Sequence, residues 1–384
     1  MSVKDACDSF MTIGQHTGPR GSSMFTAPAQ PIHYVARKAD EAFEAADRAL
    51  DACAEAICSK ILKVTPAPAA PIEYYNNPSP ARQHGSAPAP TAPDLTTLPV
   101  DAPVQRPYRH DTLWAVPKMW WEMTAGGIGA GTYAIGSATG NVPAMAAGWA
   151  ATAAGKGSLL LLDLGRPERV WRVFAKPNTS WIARGSAAFG TFAVAGAAGL
   201  GLRLLGASKA APVAEAVATA ATSILLTYDG FFLKDSASVS GWQTKEIPWM
   251  FGSNAVLAGA ALTGALAPLT GTSVRRTACI GTTTAAAATA TVAFAATHLN
   301  ELNHGDNAAR LTHRELTEGP QSPTFLAGAG LLGTLAPAAL ALATRHMPSR
   351  AANMARWISA GLAATGVLHM RRSILQSGIH APVI

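Results

Sequence analysis

From Trp114 onward, apolar runs of about 20 residues recur along the chain, near residues 119–139, 143–163, 185–205, 213–233, 247–268, 277–298, 323–344 and 353–369. A helix of that length crosses a hydrocarbon core of about 30 Å. Only helices and closed barrels satisfy their backbone polar groups in lipid, and these runs lack the strict alternation of barrel strands. The pattern predicts an all-α polytopic membrane protein with eight transmembrane helices in a compact bundle. The balance of residue types agrees: 49% are hydrophobic and 14% charged, against about 25% charged in a typical soluble domain.

The 384 residues divide unevenly, with a polar, Pro- and Ala-rich tail over 1–110 and the membrane domain over 111–384. Met1 to Pro31 shows no sustained periodicity, which predicts an extended arm. Val35, Ala39, Phe43, Ala46, Leu50, Cys53, Ile57 and Ile61 recur at steps of three and four, predicting one amphipathic helix over about 35–64. Its apolar stripe suits docking on a partner or on the chain's own membrane domain, or lying on the membrane surface. Residues 66–107 are dominated by Pro, Ala and Thr, the composition of an extended linker or a strap.

The net charge of +7 is spread between apolar runs rather than gathered in one basic patch with aromatics, so no nucleic-acid partner is expected. Cys7, Cys53, Cys58 and Cys279 form no metal-binding spacing. Eight spans put both termini on one side. Near that face stand fourteen Lys and Arg, among them Lys118, Arg166, Arg169, Lys234 and Arg371; the other face has seven, including Arg203, Arg276 and Arg345. The excess predicts cytoplasmic termini in a plasma (inner) membrane, and Met1 is followed by no secretory signal pattern. Glycines crowd the runs, with Gly126, Gly127, Gly129 and Gly131 in the first alone, and predict close helix packing.

One stretch is more particular. The run ending at Leu162 stops in D-L-G-R-P-E-R at 163–169, followed by V-W-R-V-F and by K-P-N-T-S-W at 176–181. This resembles the motif of the NrfD/polysulfide reductase membrane-subunit (PsrC-like) family. W-W-E-M-T-A-G-G-I-G-A-G at 120–131, T-Y-D-G-F-F-L at 227–233 and I-P-W-M-F-G-S-N-A-V-L-A-G-A-A-L at 247–262 resemble its first, fourth and fifth helices. The resemblance covers about 114–372 and implies a haem-free bundle that binds a quinone, menaquinone being expected. It further implies electron exchange with a ferredoxin-like iron–sulfur subunit, wired to a further redox catalytic subunit.

Several ionisable residues fall where lipid makes them costly. Asp163 closes the second run beside Arg166 and Arg169, either as a helix-ending ion pair or as a proton acceptor for quinol. Glu122 lies a turn inside the first run beside Trp120 and Trp121, suited to the quinone pocket or to pairing with a neighbouring cation. Tyr228 and Asp229 end the fourth run on the same side; a phenol can hydrogen-bond a quinone carbonyl and a carboxylate can take its proton, or both can serve as interface anchors. The expected catalytic set is Asp163, Tyr228, Glu122 and Asp229, and the quinone-binding set is Trp121, Glu122, Asp163, Arg166, Arg169 and Tyr228.

Lys156, two turns before Asp163, requires a partner carboxylate, a proton route or a shifted helix boundary. His298, Glu301 and His304 read as a surface loop at the end of the sixth run, without the ligand set for a metal or haem. The function expected is quinone-linked electron transfer through a partner. A proton-conducting or transporter-like subunit and a purely structural anchor are the alternatives.

Overall fold

The computed structural model describes residues 117–159, 180–207, 209–235, 239–305 and 307–380, together with residues 38, 41–42, 45–46, 48–52, 54–56 and 59–60 of the tail. Asp163, Arg166 and Arg169, with the rest of the D-L-G-R-P-E-R motif, the expected arm and the Pro-rich linker lie outside the described residues.

Helix α1, Pro117–Thr139, opens on a proline, which suits the first turn because its missing N–H would have no partner there. It stops at Gly140, whose φ of 69° belongs to the left-handed region. Asn141 then caps α2, Val142–Thr152, by accepting from the Ala144 N–H at 3.0 Å. The chain continues as a π-helical stretch over Ala153–Leu159. A second hairpin follows the same logic. Helix α3, Trp181–Leu204, starts on the Ser180 cap and packs on α4, Ala211–Leu225; the chain breaks at Leu226 and Thr227 and resumes as the short α5, Tyr228–Lys234.

Helix α6, Ile247–Leu266, is the centre of the bundle, with fifteen of its twenty residues buried. Around it pack α1, α7 (Val274–His304) and α10 (Ser349–His380). At Gly131 and Gly259, α1 and α6 come so close that a Cβ on either would overlap the other's backbone. Such contact replaces the hydrophobic driving force that lipid does not supply. Helix α8, Asn307–Thr317, crosses one end, and a π-helical stretch at Pro323–Leu335 leads into α9, Ala336–Ala343. No strand occurs among the described residues.

Where the described residues reach, the predicted apolar runs fall on helix apart from the end at Leu205 and the break at Leu226 and Thr227. Five helical stretches among them are long and apolar enough to cross a membrane: Trp181–Leu204, Ala211–Lys234, Ile247–Thr270, Val274–His304 and Pro323–His346. These are the third to seventh runs. The eighth was expected to end at 369, but α10 continues to His380 because Ile374 and Leu375 carry its buried face past Arg371 and Arg372. The sixth likewise runs six residues beyond its expected end, to His304.

The described tail residues are helical over most of their number, and their apolar side lies on the bundle. Ala54 is buried and Leu50 packs on the core cluster that holds Trp120, Phe325 and Leu375. Asp51 accepts two hydrogen bonds from the Arg372 guanidinium, the second at 2.6 Å, and one from the Thr324 hydroxyl at 3.4 Å.

Candidate functional site

A charged cluster lies inside the bundle where α1, the π-helical end of α2 and α5 meet. The π turn at Ala153–Leu159 aims Lys156 inward; such turns are rare and recur at functional sites. Its Nζ donates to both Asp229 oxygens at 2.8 and 3.0 Å and to the Tyr228 hydroxyl at 2.8 Å, and it stands 2.9 Å from Glu122 Oε1. An ammonium has three N–H groups, and three residues use them. The side chains of Lys156, Glu122 and Asp229 are all buried, whereas Tyr228 is half-buried and forms the outer edge of the group.

Small residues make the space. A Cβ at Gly126 would stand 2.5 Å from Lys156 Cε, and one at Gly185 would stand 2.5 Å from the Tyr228 ring. At Gly127 it would stand 2.6 Å from a second cation, Arg371 Nη2. Arg371 is 1% exposed; its guanidinium faces the Phe251 ring at 4.8 Å and donates weakly at 3.4–3.5 Å to Phe251 O, Val367 O and Asn254 Oδ1. It is near enough to interact electrostatically with both Glu122 and Asp229. Among the described residues, two cations therefore balance two carboxylates.

Residues 140–382 match the family described as Polysulphide reductase, NrfD. The chain belongs to the NrfD family. Comparison with curated proteins gives no match. The NrfD match begins at the α1–α2 turn, so Glu122 precedes it, while Lys156, Tyr228, Asp229 and Arg371 fall inside it. Together with the five apolar helices, it makes the chain an integral membrane protein.

Of the expected site residues, Glu122, Tyr228 and Asp229 come together in this NrfD bundle, and Trp121 is half-buried next to Glu122. Lys156, for which the sequence left a partner carboxylate, a proton route or a shifted helix boundary open, is their common partner and stands on the π turn with two carboxylates beside it. Trp120 is 2% exposed, in the core under the Arg372 guanidinium. Arg371, read from sequence as an interface charge, is buried because α10 extends past it. The signal available was the apolar period resuming at Ile374 and Leu375.

The histidine series divides. His298 is fully buried, contrary to the surface-loop reading, because the segment that carries Thr244 packs over it; its Nδ1 lies 2.7 Å from Thr244 Oγ1. Glu301 pairs with Lys245 at 2.9 Å, and His304 is exposed. Among the described residues no group of three or more His, Cys, Asp or Glu is arranged to hold a metal.

Proposed function

We propose that the chain is the quinone-reactive membrane subunit of a multi-subunit oxidoreductase. It exchanges electrons between menaquinone, or another membrane quinone, and a ferredoxin-like iron–sulfur partner joined to a further redox catalytic subunit. Residues 111–384 form the eight-span domain in the plasma membrane, with both termini cytoplasmic, and residues 1–110 clamp the partner. The observation that carries the reading is the Lys156 cluster with half-buried Tyr228 at its edge, in a bundle of the NrfD family.

The residues suit a quinone, which supplies the electron chemistry when bound. A carbonyl oxygen needs a donor, and the Tyr228 hydroxyl is the member of the cluster nearest the outside. Asp229 shares the Lys156 ammonium with that hydroxyl and can take or return a proton beside it. Lys156, with its N–H groups already engaged, orients the phenol and both carboxylates rather than touching the ligand. Glu122 is a second proton-holding group, Trp121 an apolar wall, and Asp163, Arg166 and Arg169 the polar rim.

The test is quinone turnover by the purified complex with Tyr228→Phe or Asp163→Asn. Each variant should lose about 100-fold, the lower range for a general acid or base, while the partner's activity towards an artificial electron carrier is kept. Unchanged turnover in both would remove this pocket and favour a structural anchor. A second reading, a proton-conducting subunit, draws on Glu215. It is buried, paired with Arg203 and close to buried Tyr133, eleven residues beyond Glu122 along α1. Glu215→Gln would then abolish proton uptake by proteoliposomes without reducing quinone turnover.

A further inference from the structure

At the opposite end of α3 from Tyr228, a second buried ion pair stands beside a cavity. Gly185 packs on the Tyr228 ring; from there to Arg203 α3 runs about 27 Å at 1.5 Å per residue, so this end belongs to the other face of the membrane. Gly206, with φ 72°, turns the chain from α3 towards α4. Glu215, a turn inside α4, fills the notch that Gly199 leaves on α3. It accepts from Arg203 Nε and, at 2.7 Å, from Arg203 Nη2. The Glu215 side chain is buried, whereas that of Arg203 is 36% exposed.

The pair holds the guanidinium at the wall of a cavity of about 370 Å³, lined by Val142, Arg203, Leu204, Gly206, Ala211 and Pro212. That volume is within the range of small-ligand sites. Arg203 is the charged residue of the lining, and with Nε and Nη2 engaged by Glu215, Nη1 remains to donate. The rest of the lining is apolar, and Leu204 and its neighbour Leu205 stand 86% and 83% exposed.

The surroundings are cationic. Lys209 is exposed between α3 and α4, and Arg276 donates at 3.3 Å to Thr139 O, at the turn that leads into Val142. Within residues 117–380 this end of the bundle carries seven Lys and Arg, and Glu215 is its one carboxylate among the described residues. A molecule that suits both the cavity and its rim is anionic at one end and apolar at the other.

We propose that the cavity binds the phosphate head of an anionic phospholipid, with Arg203 Nη1 donating to a phosphate oxygen and the acyl chains leaving over Leu204 and Leu205. Guanidinium N–H groups match phosphate oxygens, and basic pockets between transmembrane helices take anionic headgroups. Glu215 fixes the guanidinium plane, while Lys209 and Arg276 supply attraction that no carboxylate of their own cancels.

The test titrates the full chain in a neutral maltoside detergent, by isothermal calorimetry, with dioctanoyl phosphatidylglycerol, dioctanoyl phosphatidylcholine and glycerol 1-phosphate. Phosphatidylglycerol should bind about 10-fold tighter than either of the others, and two variants should each remove about that much, the worth of one hydrogen bond to a charged group. Arg203→Gln with Glu215→Gln deletes the pair without stranding a buried charge. Val142→Phe fills the cavity and leaves the pair in place, and the thermal midpoint without lipid checks both folds. Glycerol 1-phosphate binding as tightly as phosphatidylglycerol would make this a site for free phosphate compounds, and equal binding of phosphatidylcholine would remove the charge argument; either overturns the proposal. So does a parent chain that binds none of the three, or unchanged phosphatidylglycerol affinity in Val142→Phe, which would leave a cationic surface without a site.

Discussion

Replacing Lys156 by Met removes one cation from a buried group of two cations and two carboxylates. Lys156 is the partner of Glu122, Asp229 and Tyr228 at 2.8–3.0 Å, and after its loss Arg371 is the cation left, among the described residues, to face both carboxylates. Breaking a buried ion pair from one side costs about 3–5 kcal/mol, because the other charge stays in a poor solvent. The shift is about 2–4 °C per kcal/mol for a domain of roughly this size, so the thermal midpoint should fall by roughly 6–20 °C.

A second substitution tests the reason for the loss. Lys156→Met with Asp229→Asn leaves Glu122 opposite Arg371, one charge against one. The double variant should therefore be more stable than Lys156→Met alone, with a coupling of about 1–3 kcal/mol between the two sites. Thermal unfolding in nanodiscs, followed by tryptophan fluorescence, reads all four corners of the cycle. Simple additivity, or a Lys156→Met midpoint within about 2 °C of the parent, would refute the charge-balance argument and reduce the cluster to packing.

Two further outcomes concern the end of the bundle. Asp51→Asn keeps the volume but removes the charge that Arg372 binds; hydrogen bonds to charged groups contribute about 1.5–3 kcal/mol. Partial exposure of Asp51 lowers this to about 1–2 kcal/mol, and limited proteolysis should cut the tail faster in this variant and no faster still when Arg372→Gln is added. Glu246, at the mouth of α6, is held above the ordinary carboxylate range by burial and by the nearby Glu301 carboxylate. A raised carboxyl pKa disfavours the folded state once the pH exceeds the unfolded value, and the cost is absent below it. Glu246→Gln should accordingly raise the thermal midpoint at pH 8 and converge on the parent towards pH 4; a gap independent of pH would contradict this assignment.

The helices were legible because lipid imposes a one-dimensional rule, a run of apolar residues of fixed length, and most of each predicted run is helical where the described residues reach. Their ends were less legible wherever a charge was read as the membrane rim. Arg371 and Arg372 illustrate why. Adjacent on the chain, they have different fates: one is buried against Phe251, and the other is paired with Asp51 and over Trp120. A positional count of Lys and Arg treats them alike, since it carries no information about which carboxylate arrives from elsewhere.

The same limit governs the site. Glu122, Asp229 and Lys156 each stood out singly as a cost that lipid would not tolerate unpaired. What no spacing rule could supply is that one ammonium answers both carboxylates, because the three lie on separate helices and are joined only by how closely those helices pack. The decisive residues for that are glycines. Gly126 and Gly127, adjacent on α1, admit Lys156 and Arg371 respectively, and Gly185 admits the Tyr228 ring. In the sequence these are indistinguishable from Gly131, which serves backbone contact with α6. A glycine in a membrane helix therefore signals close approach without saying whether a backbone or a charged side chain will use it, and the unpaired charges are the clue that separates the two.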